Sequence, residues 1–279
     1  MQDQIHTLEL FPVINQKLLE LLNSLTPEDF HKPTQFPSWK VKDICAHLLD
    51  TSIRRLSSGR DHYHAPEQPQ LANYEQLLDY VTRLADSWAL AFSAVSPEIL
   101  IELTGKYQNE LVDYLASLEP FERAAVPVSW AGETVSFNWF DIAREYTERW
   151  HHQMQIREAL GREPLYERKL YTPVLDTFLR ALPYHYRDWR MAEGYVLCVT
   201  IEGAAGGQWF LEWHDQLELK SKSDRDPQTT VSIQQEDAWK IFTRWTDKSV
   251  YKATIHGNQE LGQHLLQLNC LLIRNSTAA

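Results

Sequence analysis

The spacing of apolar residues changes part-way along this chain, and that change decides its fold class. Up to about residue 160 they recur every three or four positions, the mark of amphipathic helices. After about residue 190 they alternate with every second position, the mark of strands. In the first part, Ile5, Leu8, Phe11 (or Pro12), Asn15, Leu18, Leu19 and Leu22 predict a helix over 4–24. Thr26, Pro27 and Asp29 read as a cap and a short turn before a Pro33–Pro37 loop. A second helix is expected from Ser38 or Trp39 to Ser57, with Ile44, His47, Leu48 and Thr51 on one face. Gly59, Pro66 and Pro69 make 58–72 a loop. A third helix follows over 73–95, Ser96-Pro97-Glu98 restarts the chain, and 107–118 reads as a further short helix. After a break over 119–134, the last long helix runs from Phe137 to Leu160 and closes at Gly161.

In the second part, Tyr195, Leu197, Val199 and Ile201 alternate with Val196, Cys198, Thr200 and Glu202. Trp209, Leu211 and Trp213, then Leu217 and Leu219, then 229–233, then Tyr251–His256 repeat the pattern between turn signals. Ala238, Ile241, Phe242 and Trp245 return to helical spacing, Gln259–Ile273 reads as a closing helix, and 165–190 as a helix joining the two parts. The expected architecture is a four-helix bundle over 1–162, followed by a smaller α+β domain with an antiparallel sheet over 163–279.

Charge narrows the function classes. With 27 Lys+Arg against 38 Asp+Glu the net charge is −11, which repels a phosphate backbone or an anionic membrane, and there is no basic run. No window reaches the ~18 consecutive apolar residues of a membrane span. The opening MQDQIHTLEL lacks a signal peptide's cationic start and apolar run. Cys45, Cys198 and Cys270 are widely spaced and form no CxxC pair, so a disulfide framework is not expected and a reducing cytoplasm fits.

The stretch that carries chemistry is Glu148-Arg149-Trp150-His151-His152. Glu148 and His152, four apart, share a helix face one turn apart, which suits two ligands of one metal. A catalytic zinc site takes three protein ligands and keeps one position open. His47 is the best third candidate, because it sits within the apolar face of its helix. Two readings of the last helix compete. Its Asn138, Asp141, Glu145, Glu148 and His152 face is either solvated, or turned toward a central pocket where Glu148 needs a cation. His151 points about 100° away from His152. His62 and His64 form an H-x-H pair in a loop, and Arg54 and Arg55 end the His47 helix, where a solvated role is the plainer one.

The segment Phe36-Pro37-Ser38-Trp39-Lys40-Val41-Lys42-Asp43-Ile44-Cys45-Ala46-His47-Leu48 resembles the second-helix motif of DinB-like metal-binding bundles. The Glu148-x-Trp150-x-His152 pattern is similar to the mycothiol-dependent maleylpyruvate isomerase branch, and the strand-rich half, with Ile255-His256-Gly257-Asn258 before the last helix, resembles that branch's sterol-carrier-like C-terminal domain. The resemblance implies zinc held by His47, Glu148 and His152, with a low-molecular-weight thiol activated there for isomerisation or transfer of a small-molecule substrate. If that substrate is acidic, Arg54 or Arg55 would supply its cation, and no residue here is matched to the branch's C-terminal substrate-binding arginine. A different class of function stays open: a binding protein that holds an apolar molecule through the C-terminal half, where Trp209, Phe210, Trp213, Trp239 and Trp245 cluster. Retention of metal without turnover, and a homodimer, are open as well.

Overall fold

The structure, a computed structural model, describes residues 4–35, 39–64, 74–243 and 251–271. The Phe36-Pro37-Ser38 part of the expected motif, Pro66, Pro69, Trp245 and Ile273 lie outside them. The chain divides into two compact units. One holds Thr7–Ala125 and Glu148–Pro164; the other holds Val126–Thr147 and Leu165–Leu271.

The first unit is helical. Its helices are α1 (Phe11–Asn23), α2 (Val41–Arg55), α3 (Tyr74–Phe92), α4 (Pro97–Ala116) and the second part of α5 (Asn138–Ala159). A 3-10 turn over Leu8–Leu10 precedes α1, so the helix starts later than the apolar spacing suggests, with Pro12 in its first turn. Thr26 and Asp29 cap the expected short turn reciprocally, through Thr26 N to Asp29 Oδ2 and Asp29 N to Thr26 Oγ1. The core gathers Leu18 and Leu22 of α1, Ile44 and Leu48 of α2, Leu100 of α4 and Ile156 of α5. Each such side chain contributes about 1.5–3 kcal/mol by leaving water.

The membership of the bundle differs from the sequence expectation in one respect. The segment from Ser96 is one 20-residue helix, α4, capped by Ser96 Oγ on Ile99 N, not a restart plus a short helix. It packs on both α1 and α2. Its buried stripe is Leu100, Thr104, Gln108, Leu111 and Leu115. The polar residues in the middle of that stripe interrupt the apolar period, so the helix is hard to see in the sequence. By contrast α3, strongly periodic, lies against α2 and leaves Leu90 75% exposed.

The second unit is built on a five-stranded sheet in the order β3-β2-β1-β4-β5. The strands are β1 (Val196–Glu202), β2 (Gly207–Trp213), β3 (Leu217–Lys220), β4 (Thr229–Gln234) and β5 (Ala253–His256). Every pairing is antiparallel except β1 with β4, which is parallel. Alternation within a strand cannot show this, because it reports the face and not the direction. Leu197, Val199 and Ile201 on β1, Leu211 on β2, and Val231 and Ile233 on β4 are all buried. The 165–190 segment is two helices, α6 (Arg168–Leu179) and α7 (Leu182–His185), and a proline opens the second of them. The unit is completed by α8 (Gln235–Phe242) and α9 (Gln259–Leu265); the latter ends earlier than expected. Among the described residues, no helix is long and apolar enough to cross a membrane.

Tyr171 ties α6 to the start of α8. Its hydroxyl donates to Gln235 O at 2.8 Å and accepts from Trp239 N at 3.2 Å, fully buried. Tyr171→Phe leaves both backbone groups without that partner, so we expect about 1–3 kcal/mol of lost stability in urea unfolding. Tyr63→Phe, at a side chain 60% exposed, should stay within about 0.5 kcal/mol.

Candidate metal centre

The site is assembled where α2 meets the second part of α5. The start of α2 is fixed locally. Lys40 N donates to Asp43 Oδ2 at 2.9 Å, and Val41 N donates to Lys32 O. Trp39, just ahead of the helix, donates its indole N–H to Asp86 Oδ1 of α3 at 3.2 Å. This holds the indole over His47, with ring centroids 5.0 Å apart. Nearly two turns into α2 stands His47, between the core residues Ile44 and Leu48 in sequence.

α5 is buried on both of its faces. Trp139, Ala143, Tyr146, Trp150 and Met154 are buried, and so are Asn138, Asp141, Glu145 and His152 on the opposite side. The solvated reading of the carboxylate face therefore fails. Arg144 compensates Asp141 and Glu145 at 2.8 and 3.2 Å. Glu148 is half-buried, and its Oε2 lies 3.3 Å from His152 Nε2.

His47, Glu148 and His152 come together from segments about a hundred residues apart. Their ligand atoms all lie within 4.8 Å of one another, and the imidazoles of His47 and His152 meet edge-on at 4.7 Å. His152 Nδ1 sits 2.8 Å from Gln155 Oε1. An amide oxygen only accepts, so Nδ1 donates, and in the neutral ring Nε2 bears the lone pair. That lone pair then faces a carboxylate oxygen, an arrangement that needs a proton or a cation between them. A metal-binding imidazole is commonly held in this way, its other nitrogen donating to a second group. Gln155 carried no motif signal in the sequence; its place three residues after His152 was the cue available.

The other candidates fall outside this group. His151 is buried beside His152, with ring centroids 4.0 Å apart, and both its nitrogens lack a hydrogen-bond partner among the described residues. His62 and His64 are exposed, and His62 takes a positive φ of 54°. Arg54 is bound in bidentate fashion to the fully buried Asp50, at 2.6 Å for each bond. Arg55 is half-buried.

The match to known proteins falls on this same region. Residues 12–157 fit the family described as the mycothiol maleylpyruvate isomerase N-terminal domain. The chain belongs to that family. Two solved structures share the family's fold over nearly their whole length. One is the mycothiol-dependent maleylpyruvate isomerase, at 12% identity and a TM-score of 0.55, covering 91% of this chain and 95% of the other. The second is a histidine-to-alanine mutant of that isomerase, at 11% identity and a TM-score of 0.55, covering 91% and 96%. No curated protein sequence matches the chain. At these identities the likeness is one of fold.

Burial, then the charge of His152 and of Arg54 and Arg149, holds His47 well below the ordinary histidine range. Burial, then His152 and His47, does the same to His151. Both stay neutral in the folded protein, while the unfolded chain protonates them below the ordinary value of 6.5. The unfolded state thus binds more protons in acid, and stability present above that pH is lost as pH falls. For chelator-treated protein, we expect Tm to fall between pH 7.5 and 5. We expect His151→Gln to flatten the dependence of unfolding free energy on pH by up to about 1.4 kcal/mol per pH unit. An unchanged slope would mean that His151 is not held neutral.

Proposed function

We infer that the chain is a divalent-metal enzyme, with zinc as the metal, that activates a low-molecular-weight thiol for isomerisation or transfer of a small-molecule substrate. The observation that carries this reading is the convergence of His47, Glu148 and His152 within 4.8 Å in a chain of the maleylpyruvate isomerase family. The donor set suits zinc: two imidazoles and one carboxylate, with a fourth position left over. A tetrahedral ion about 2.1 Å from each donor separates the donors by roughly 3.4 Å. The Glu148–His152 pair already stands at 3.3 Å. When bound, zinc would supply Lewis acidity that holds a thiol as its thiolate at neutral pH.

The chain's own residues prepare the place. Gln155 fixes the tautomer and angle of His152. Desolvation keeps His47 neutral, so its lone pair is available in weak acid. Trp39 walls the imidazole pair on one side, with its ring 5.0 Å from His47 and 6.5 Å from His152.

A thiol for such a reaction has to come from outside the chain. All three cysteines are free and buried. Burial raises the Cys45 thiol to about 12 and raises those of Cys198 and Cys270. None of them is a thiolate nucleophile at neutral pH. Free thiols also suit the reducing cytoplasm as the place of work. We take residues 1–162 as the metal-binding domain and 163–279 as a second, sterol-carrier-like domain. Three of the tryptophans that suggested an apolar ligand there have structural roles. Trp209 donates to Asp176, Trp213 to Trp189 O and Trp239 to Tyr166, and all three are buried.

Metal analysis of purified protein tests the reading directly. We expect about one zinc per chain, lost in His47→Ala and in Glu148→Gln with the fold intact by circular dichroism. Gln155→Leu should keep the ligands but weaken zinc binding on the order of 10–100-fold. Isomerisation of maleylpyruvate, assayed with and without mycothiol, should depend on both the thiol and the metal. A wild-type protein that binds no divalent metal would remove the proposal.

A further inference from the structure

The core stripes of the bundle carry a polar layer that the metal site does not use. Asn15 on α1 lies between Phe11 and Leu18, and Thr104 and Gln108 on α4 lie between Leu100 and Leu111; all are buried. Both amide atoms of Asn15, both of Gln108 and the Thr104 hydroxyl have no hydrogen-bond partner among the described residues. Such groups are rare inside native proteins, because an unmet amide forfeits its hydrogen bonds to water.

These side chains lie within about one turn of one another along the bundle. Leu19 of α1 faces Gly105 of α4. The Leu8–Leu10 turn, about ten residues before Leu19, also touches α4. A parallel arrangement would place that turn ahead of Pro97, where α4 begins. The two helices therefore run antiparallel, and Asn15 and Gln108 each stand about one turn beyond the Leu19–Gly105 contact, on the same side of it. Polar groups of α2 and α5 border this part of the bundle: Gln153 Nε2 donates to Ile14 O at 2.9 Å, and Arg149 donates to Ser52 Oγ at 3.0 Å.

The chemistry of the layer selects its occupant. Each amide offers donors and an acceptor, and the hydroxyl offers both roles. An anion would use only the donors, a cation only the oxygens, and an apolar guest neither. The guest must donate and accept, and it must be small enough to sit between packed helices. We propose that this layer is a buried hydration site, in which Asn15, Thr104 and Gln108 hold a small cluster of ordered water molecules inside the bundle. Buried water of this kind usually makes about three hydrogen bonds to groups that would otherwise be unmet. The site stands independently of any metal at His47, Glu148 and His152. It explains why the α4 stripe is polar at its centre: α1 and α4 are joined there through water and not through interlocked hydrocarbon.

Oxygen-17 water relaxation dispersion on the full chain reads long-lived internal water in solution. We expect a smaller dispersion amplitude for the combined Asn15→Leu, Thr104→Val, Gln108→Leu variant than for the wild type. A crystal structure of the wild type should show water within hydrogen-bond distance of the three side chains. Should the combined variant not fold, Thr104→Val, nearly the same shape as the native residue, reports the same difference on a smaller scale. Equal amplitudes in wild type and variant, or electron density showing the two amides bonded directly to each other, would overturn the proposal.

Discussion

The burial of α5 on both faces is the constraint from which the rest of the site follows. A helix with one wet face can carry carboxylates and imidazoles at little cost. Here Asp141, Glu145 and His152 are all withdrawn from water, so each charge or lone pair needs an answer from nearby. Along the first part of the helix the answer is Arg144. At the end, Glu148 and His152 face each other and His47 across a short gap, and no guanidinium or ammonium of the described residues is paired with Glu148 in the ion pairs found. Two imidazoles and a carboxylate drawn together away from bulk water form a donor set that favours a cation.

That arrangement depends on features with no chemical role of their own. The hydrogen bond from Lys40 N to Asp43 Oδ2 fixes where α2 begins, and so the turn on which His47 emerges. Packing of Leu48 and Ile156 in one cluster sets how closely α2 and α5 approach. The hydrogen bond from Arg149 to Ser52 then pins their relative rotation next to Glu148. Since His152 and Glu148 are one turn apart, a shift of α5 by a single residue would turn the pair by about 100° and remove it from His47.

Much of this was legible in the sequence, for a physical reason. Period is a property of a single element, so the helical part, the strand part and the shared face of Glu148 and His152 could all be read from spacing. His47 was legible because an imidazole within an apolar stripe must point inward. Relations between elements left weaker traces. The parallel β1–β4 pair is a matter of direction, which alternation does not record. The membership of α4 in the bundle was hidden by Thr104 and Gln108, since polar residues at core positions break the period that marks a core helix. The burial of His151 came from the rest of the fold, because position on one wheel says nothing of what covers the opposite side.

The same polar positions bear on how the bundle divides its labour. A core of uninterrupted leucine would hold α1, α2, α4 and α5 more firmly. This bundle keeps such a core at the level of Leu18, Leu22, Leu48, Leu100 and Ile156, and gives it up in the stretch that holds Asn15, Ser52, Thr104, Gln108 and Arg149. The firm part adjoins His152, one turn before Ile156 on α5, so the ligand turn of that helix is braced by hydrocarbon. The polar part reaches the same turns, since Gln153, next to His152, donates to Ile14 O beside Asn15, and Arg149, next to Glu148, donates to Ser52 Oγ. The ligand turns of α5 are thus held both by hydrocarbon and by hydrogen bonds to α1 and α2.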